Sequence, residues 1–264
     1  MTNITYQTLE LHREDALATI TLNRPGVRNA FNETMIAELT QAFHGVGADP
    51  SIRAVVLAAN GIAFCAGADL NWMKKMAAYT HAENLADAAQ LAEMLHTIYT
   101  CPKPVVAKVQ GDCYAGGMGL VAACDIVVAL DSANFCLSEV RLGLIPATIS
   151  PYVIKAMGES AARRYFLTAE RFTAADGHRF GLVHEVAARD TLTLKVAELV
   201  KALLGNSPAA VAQAKILVRD VVGKEIDERL IAATVEGIAG IRASAEGREG
   251  VRAFLEKRKP SWLM

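Results

Sequence analysis

The sequence has no excess charge of either sign. Its 27 lysines and arginines stand against 28 aspartates and glutamates. No basic stripe points to nucleic acid, and no polybasic tail points to a membrane surface. No run of about 18 uncharged apolar residues marks a membrane span. The opening stretch, MTNITYQTLELHRED, has no apolar leader core, so no signal peptide is expected there. No CxxC pair occurs among the five cysteines, Cys65, Cys101, Cys113, Cys124 and Cys136. An odd number of thiols beside apolar residues reads as buried, reduced side chains in a cytoplasmic protein. HExxH metal spacing, the Walker A pattern and GxGxxG are also missing, which argues against a zinc hydrolase, a phosphate loop or a dinucleotide fold.

What is present is apolar material: 52% of the 264 residues are hydrophobic, enough for one sizeable core. Residues 6–11 and 16–22 alternate as a β-hairpin does. Short apolar runs at Ala54–Ala59, Pro104–Val109 and Ile126–Ala129 read as strands covered on both faces. Helices are expected at Asn32–Phe43, Ala86–Tyr99 and Gly117–Ala123. After about residue 158 the strand signal fades. Ser160–Leu167, Thr173–Phe180 and Pro208–Val222 read as helices, the last with Ser207 as N-cap and Pro208 behind it. Strands alternating with helices predict an α/β fold. The expected organisation is a core over residues 1–200 and a helical region over 201–264.

Two turns stand out. AFCAGADL (63–70) and CYAGGMGL (113–120) each follow a strand and precede a helix, and both are built of alanine and glycine. Small residues let a ligand approach the backbone. The first amides of a helix are unpaired and electropositive. One amide from each turn can hold an oxygen that gains negative charge, as in an oxyanion hole. The same composition also suits tight packing of helix on strand. A third segment, FCLSEVRLGLIPA (135–147), sets Glu139 among apolar residues. Desolvation there would raise its pKa and suit it to moving protons. Pairing with Arg141 or Arg163 in a salt bridge is the other reading.

These segments resemble the crotonase family, the enoyl-CoA hydratase/isomerase superfamily. The resemblance runs through ALATITLNRPGVRNAFN (16–32), AFCAGADL, KPVVAKVQGDCYAGGMGLVAACDIVVA (103–129), ANFCLSEVRLGLIPA (133–147) and RRYFLTAERFTAADGHRFGLVHEV (163–186). It implies a spiral of β-β-α units, a C-terminal helical region that builds trimers or hexamers, an acyl-CoA thioester substrate, and no cofactor beyond the CoA of the substrate. By position, the backbone N–H groups of Ala68 and Gly116 would form the oxyanion hole. Ala66, Ala68, Asp69 and Leu70 would lie along the CoA arm, with Arg28 near its adenine-phosphate end. Glu139 would be the catalytic glutamate.

The resemblance breaks at one place. Hydratases of this family hold water between two glutamates, and the first of these positions is Gly119 here. The segment SEVRLGLIPATISPYVIKAMG, followed by RRYFLTAERF, resembles the branch of methylglutaconyl-CoA and isoprenoid-glutaconyl-CoA hydratases. There Pro-Ala-x-Ile-Ser replaces Pro-Gly-Gly-Gly. The expected reaction is therefore hydration of a branched 2-enoyl-CoA. The alternatives are a Δ3-Δ2 isomerase working with one glutamate, or an acyl-CoA- or RNA-binding protein on the same fold. A second substrate carboxylate would need donors. Lys74, Lys75 and Arg141 are the candidate cations, with Ser138 and Ser150 as hydroxyl donors. Trp72 and Met73 would either line the acyl pocket or pack in the core. Asp125 reads as a structural cap or ion-pair partner. Cys113 and Cys136 lie near the site without a histidine to activate them.

Overall fold

The computed structural model describes residues 5–263. Met1–Ile4 and Met264, at the two ends of the sequence read above, lie outside the described residues. The predicted hairpin is there: β1 (Leu9–Glu14) runs antiparallel to β2 (Leu17–Leu22), with Leu9 opposite Leu22. On β2, Ala18, Ile20 and Leu22 point into the core and the residues between them do not, the period of two expected of a half-covered strand. After a short 3-10 turn at Pro25–Val27, α1 (Glu33–Ala48) starts at an N-cap where the Asn32 side chain accepts from the Met35 amide.

From there the chain repeats one unit, two strands and then helix. The first is β3 (Ala54–Ala59), β4 (Ala63–Cys65), α2 (Leu70–Met76) and α3 (His81–Thr100). The second is β5 (Val105–Val109), β6 (Asp112–Tyr114) and α4 (Gly116–Ala123). The third is β7 (Ile126–Leu130), β8 (Asn134–Cys136), a 3-10 turn at Glu139–Leu142 and α5 (Ser150–Thr168). Then come β9 (Phe172–Thr173), α6 (Ala174–Arg179), β10 (Glu185–Ala187) and α7 (Leu192–Leu204).

The first strand of each unit joins one six-stranded sheet, ordered β1-β2-β3-β5-β7-β10 and parallel from β2 onward. The second strand of each unit joins a smaller sheet, ordered β4-β6-β8-β9. The chain thus climbs a spiral of β-β-α turns, the architecture the resemblance implies. The core between the sheets and α1, α3, α4 and α5 holds Phe31, Phe43, Phe64 and Phe135, each at most 1% exposed. Full burial of such a side chain stabilises by about 1.5–3 kcal/mol relative to exposure.

One expectation needs correction, and one feature was not anticipated. Strand structure does not end near residue 158: β9 and β10 follow, and β10 completes the main sheet beside β7. The small sheet is also invisible to periodicity, because its strands are two or three residues long.

The chain closes with α8 (Pro208–Val221), α9 (Glu228–Ala243) and α10 (Ala245–Leu255). Ser207 caps α8 by accepting from the Ala210 amide. Residue 200 lies within α7, whose Leu192, Val196 and Val200 are buried. Arg53 ties the ends to the core, donating to the carbonyls of Leu204, Asn206 and Trp262. No side chain of α9 is buried. Its Ile231, Val235 and Ile238 form an exposed stripe at helical spacing.

Candidate active site

The first turn leaves β4 and enters α2. The Ala66 amide donates to the Arg28 carbonyl, Phe31 donates to the Gly67 carbonyl, and Asp69 donates to the Phe31 carbonyl. The chain alternates, so Ala68 is skipped, and its N–H meets no acceptor among the described residues. Gly67 holds φ at +93°, a left-handed conformation that favours glycine. The Asp69 side chain accepts from the amides of Asn71 and Trp72 and so caps α2. Its other oxygen takes the Arg24 guanidinium at 2.8 Å. Burial pulls the Asp69 pKa upward, but the bonds from Arg24 and the two amides outweigh it and hold the group below the usual range.

The second turn leaves β6 and enters α4. Ala115, at φ 46° and ψ −123°, twists the chain so that Gly116 opens the helix. The Ala115 amide donates to the Cys136 carbonyl and its carbonyl accepts from Met118. Gly116 N–H, the first of α4, meets no acceptor among the described residues. The two turns abut. A Cβ at 116 would stand 2.7 Å from the Phe31 ring, and one at 117 would stand 2.8 Å from the Cys65 Cβ. Phe31 is the residue bridged to Ala68. The glycines are therefore required by close approach, and each of the two abutting turns carries an amide without an acceptor among the described residues, the kind of donor an oxyanion hole needs.

Glu139 opens the 3-10 turn that follows β8. Strand β8 pairs with β6, Tyr114 opposite Cys136, so the turn that carries Glu139 leaves the strand next to the one that leads into the second turn. The Glu139 Oε2 is buried and has no hydrogen-bond partner among the described residues. Burial pushes its pKa up. The salt-bridge reading falls: Arg141 donates to the Ala169 carbonyl, and Arg163 lies 3.7 Å from Glu159 on the exposed side of α5. A desolvated carboxylate without a counter-ion among the described residues is suited to exchange protons.

The other expected residues divide. Ala66 and Ala68 lie half-buried in the first turn, and Leu70 is 74% exposed at the start of α2. Arg28 is exposed, in a left-handed turn held by buried Asn29, whose side chain donates to the carbonyls of Asn60 and Ala63. The Asp69 carboxylate is committed to its cap and to Arg24, so only its backbone is left to face a ligand. Trp72 is buried and donates to Asp87, which makes it a core residue. Lys75 pairs with Glu33 at 2.7 Å, and Lys74 is exposed. The Ser150 hydroxyl donates to the Ala147 carbonyl. Asp125 accepts from Val105 N–H and from Lys215 at 2.6 Å, the structural role expected of it. All five cysteines are free, and burial raises the thiols, Cys65 to about 12. No group of three metal-ligating side chains occurs among the described residues, and no helix there is long and apolar enough to cross a membrane.

The sequence reading missed Arg24. Its Nη1 donates to the Ala30 carbonyl while Nη2 holds Asp69, which locks the loop before α1 to the first turn. The signal was its place in Asn23-Arg24-Pro25-Gly26, the segment that ends the alternation of residues 16–22. A cavity of about 830 Å³ lies elsewhere, between the main sheet and α7, lined by Thr19, Val56, Lys108 and Val196. None of the candidate site residues borders it.

Comparison with known proteins identifies the family. Residues 12–263 match the enoyl-CoA hydratase/isomerase family. An enoyl-CoA hydratase of Shewanella pealeana is 43% identical and superposes with a TM-score of 0.94, over 97% of this chain and 96% of the other. An enoyl-CoA hydratase of Mycobacterium smegmatis is 36% identical, with a TM-score of 0.91 over 97% and 99%. The 2,3-dehydroadipyl-CoA hydratase of Escherichia coli is 34% identical over 267 residues, 96% of this chain and 98% of the other.

Proposed function

This chain belongs to the enoyl-CoA hydratase/isomerase family, and from that premise we propose that it adds water to a branched 2-enoyl-CoA of the glutaconyl type, such as 3-methylglutaconyl-CoA, in leucine or isoprenoid breakdown. The observation that carries the reading is Glu139, a half-buried carboxylate whose buried Oε2 meets no partner among the described residues, in the 3-10 turn that follows the strand paired with β6. The thioester oxygen would accept from Ala68 N–H and Gly116 N–H. Glu139 would take a proton from water as its oxygen bonds to C3. The C2–C3 electron pair then moves to form the thioester enolate, whose negative charge the two amides stabilise. Protonation of C2, by the proton Glu139 received, collapses the enolate and restores the carboxylate. Losing one such oxyanion donor typically costs about 2.7–4 kcal/mol of transition-state stabilisation.

The CoA arm would run past Ala66, Asp69 and Leu70 toward Arg28. The substrate brings the CoA, and the chemistry asks for no further cofactor. The branch assignment rests on the Pro-Ala-Thr-Ile-Ser segment at 146–150 and on the glycine at 119. A relative named for 2,3-dehydroadipyl-CoA, also an acyl-CoA with a distal carboxylate, is in keeping with it. The exposed stripe on α9 supports assembly into trimers or hexamers.

The test is thioester absorbance on mixing the protein with a panel of 2-enoyl-CoAs. Loss of the enoyl signal with 3-methylglutaconyl-CoA alone supports the reading, and loss with crotonyl-CoA makes the enzyme a general hydratase. One observation favours a second reading: position 119 offers no second carboxylate, and moving a double bond from C3 to C2 needs one group shuttling one proton. In that case a 3-enoyl-CoA gains the conjugated signal and no 2-enoyl-CoA loses it.

A further inference from the structure

Gly119 stands three residues beyond Gly116 on α4, on the same side of the helix. The space beside it is filled. A Cβ at 119 would lie 2.4 Å from Ile149 Cγ2, 2.9 Å from Ile149 Cβ and 3.3 Å from Leu95 Cδ2. Ile149 is 2% exposed and Leu95 is fully buried. The Ile149 carbonyl accepts from Tyr152 and Val153, so its backbone is built into the start of α5. A β-branched side chain has one strongly preferred χ1 and does not swing aside cheaply. Leu95 closes the remaining side from α3.

We propose that Ile149 is the residue that keeps this site to one carboxylate. It occupies the volume a side chain at 119 would need, and so it decides which acid–base groups the pocket can carry. This rests on the reading of Glu139 as the working carboxylate. Gly119 and Ile149 then form an interlocked pair, and neither changes alone without cost. A glutamate at 119 collides with Ile149. A glycine at 149 leaves a cavity. Only the two changes together make room for a second carboxylate on the first turn of α4. Ile149 would be a positioning residue, since it acts through what it excludes.

The experiment compares the wild type with Gly119→Glu, Ile149→Gly and the double variant, by melting temperature and by the pH dependence of crotonyl-CoA and 3-methylglutaconyl-CoA hydration. Gly119→Glu alone is expected to melt several degrees lower, as overpacked cores do. The double variant is expected to melt above the sum of the single losses and to show a second ionisation in kcat/KM that Ile149→Gly lacks. Should Ile149→Gly not fold, Ile149→Ala with Gly119→Asp makes the same comparison. Additive melting losses, or a Gly119→Glu protein as stable as wild type, would overturn the proposal. So would coupled melting with an unchanged pH profile, which reduces Ile149 to packing alone. If the wild type hydrates neither substrate, the hydratase reading fails, and the melting cycle by itself decides whether Ile149 holds the space.

Discussion

Gly67 and Ala115 meet across the two strand-to-helix turns. A Cβ on Gly67 would stand 3.0 Å from the Ala115 Cβ and 3.4 Å from the Tyr114 carbonyl oxygen. Both residues hold positive φ, +93° and 46°. The separation of the Ala68 and Gly116 amides depends on this contact, because each amide is adjacent to one of the pair.

Gly67→Ala should therefore harm both stability and activity. The left-handed backbone costs an L-residue about 1–2 kcal/mol. The added methyl also pushes the turns apart, and oxyanion donors lose effect steeply when displaced. Lower melting with a fall in kcat of at least about tenfold is the expected result. Ala115→Gly is the converse: it relieves a strained residue and should melt no lower than the wild type. Calorimetry and steady-state kinetics on the two variants check both.

Glu139→Gln should lower kcat by at least about a hundredfold with little change in KM, the scale of general acid–base catalysis. Its effect on stability has the opposite sign. Burial raises the Glu139 pKa in the folded protein. Between the unfolded and the raised folded pKa the native state binds more protons, so stability falls as pH rises through that window, and the full cost is present above it. Glutamine carries no charge to desolvate. The variant should melt no lower than wild type at pH 7, and the difference should shrink as pH drops through that window and vanish below the unfolded carboxylate range. Melting curves from pH 4 to 8 measure this.

Lys215 donates to Asp125 at 2.6 Å, and the pair joins α8 to the segment between α4 and β7. Burial raises the Asp125 pKa in spite of this partner. Lys215→Met should cost roughly 2–3 kcal/mol, somewhat under the figure for a fully buried pair, because it leaves a carboxylate without its cation. Lys215→Met with Asp125→Asn should cost less than Lys215→Met alone. Denaturant titration of the variants gives both numbers.

Ile231, Val235 and Ile238 line one exposed face of α9. A charge in such a stripe opposes its burial against another chain. Val235→Glu with Ile238→Glu should reduce the sedimenting mass from three or six chains to one while the far-ultraviolet circular dichroism is kept. Wild-type protein sedimenting as a single chain would remove the assembly reading.

Much of the site was legible in sequence because it is built from backbone. Ala-Gly turns between an apolar strand and a helix announce free amides, whatever the side chains around them. Glu139 was visible as a carboxylate among apolar neighbours, but its lack of a partner was not. Arg141 is two residues away and turns to the Ala169 carbonyl instead. Asp69 is expected along the CoA arm, and the sequence does not show that its carboxylate is engaged by Arg24, 45 residues earlier in the chain, which leaves only its backbone to face a ligand. No local pattern carries a bond of that separation.

The amino-acid sequence by itself determined the alternation of strand and helix, the hairpin at the start and the need for small residues at 67, 116 and 117. These follow from periodicity and from backbone conformations that only small residues tolerate. Tertiary structure alone decided what each glycine makes room for. Gly116 admits Phe31, Gly117 admits Cys65, and Gly119 admits Ile149. A glycine in a sequence marks the absence of a side chain. Which neighbour takes the space depends on packing between segments far apart in the chain, and at position 119 that packing leaves an isoleucine where a second carboxylate would have stood.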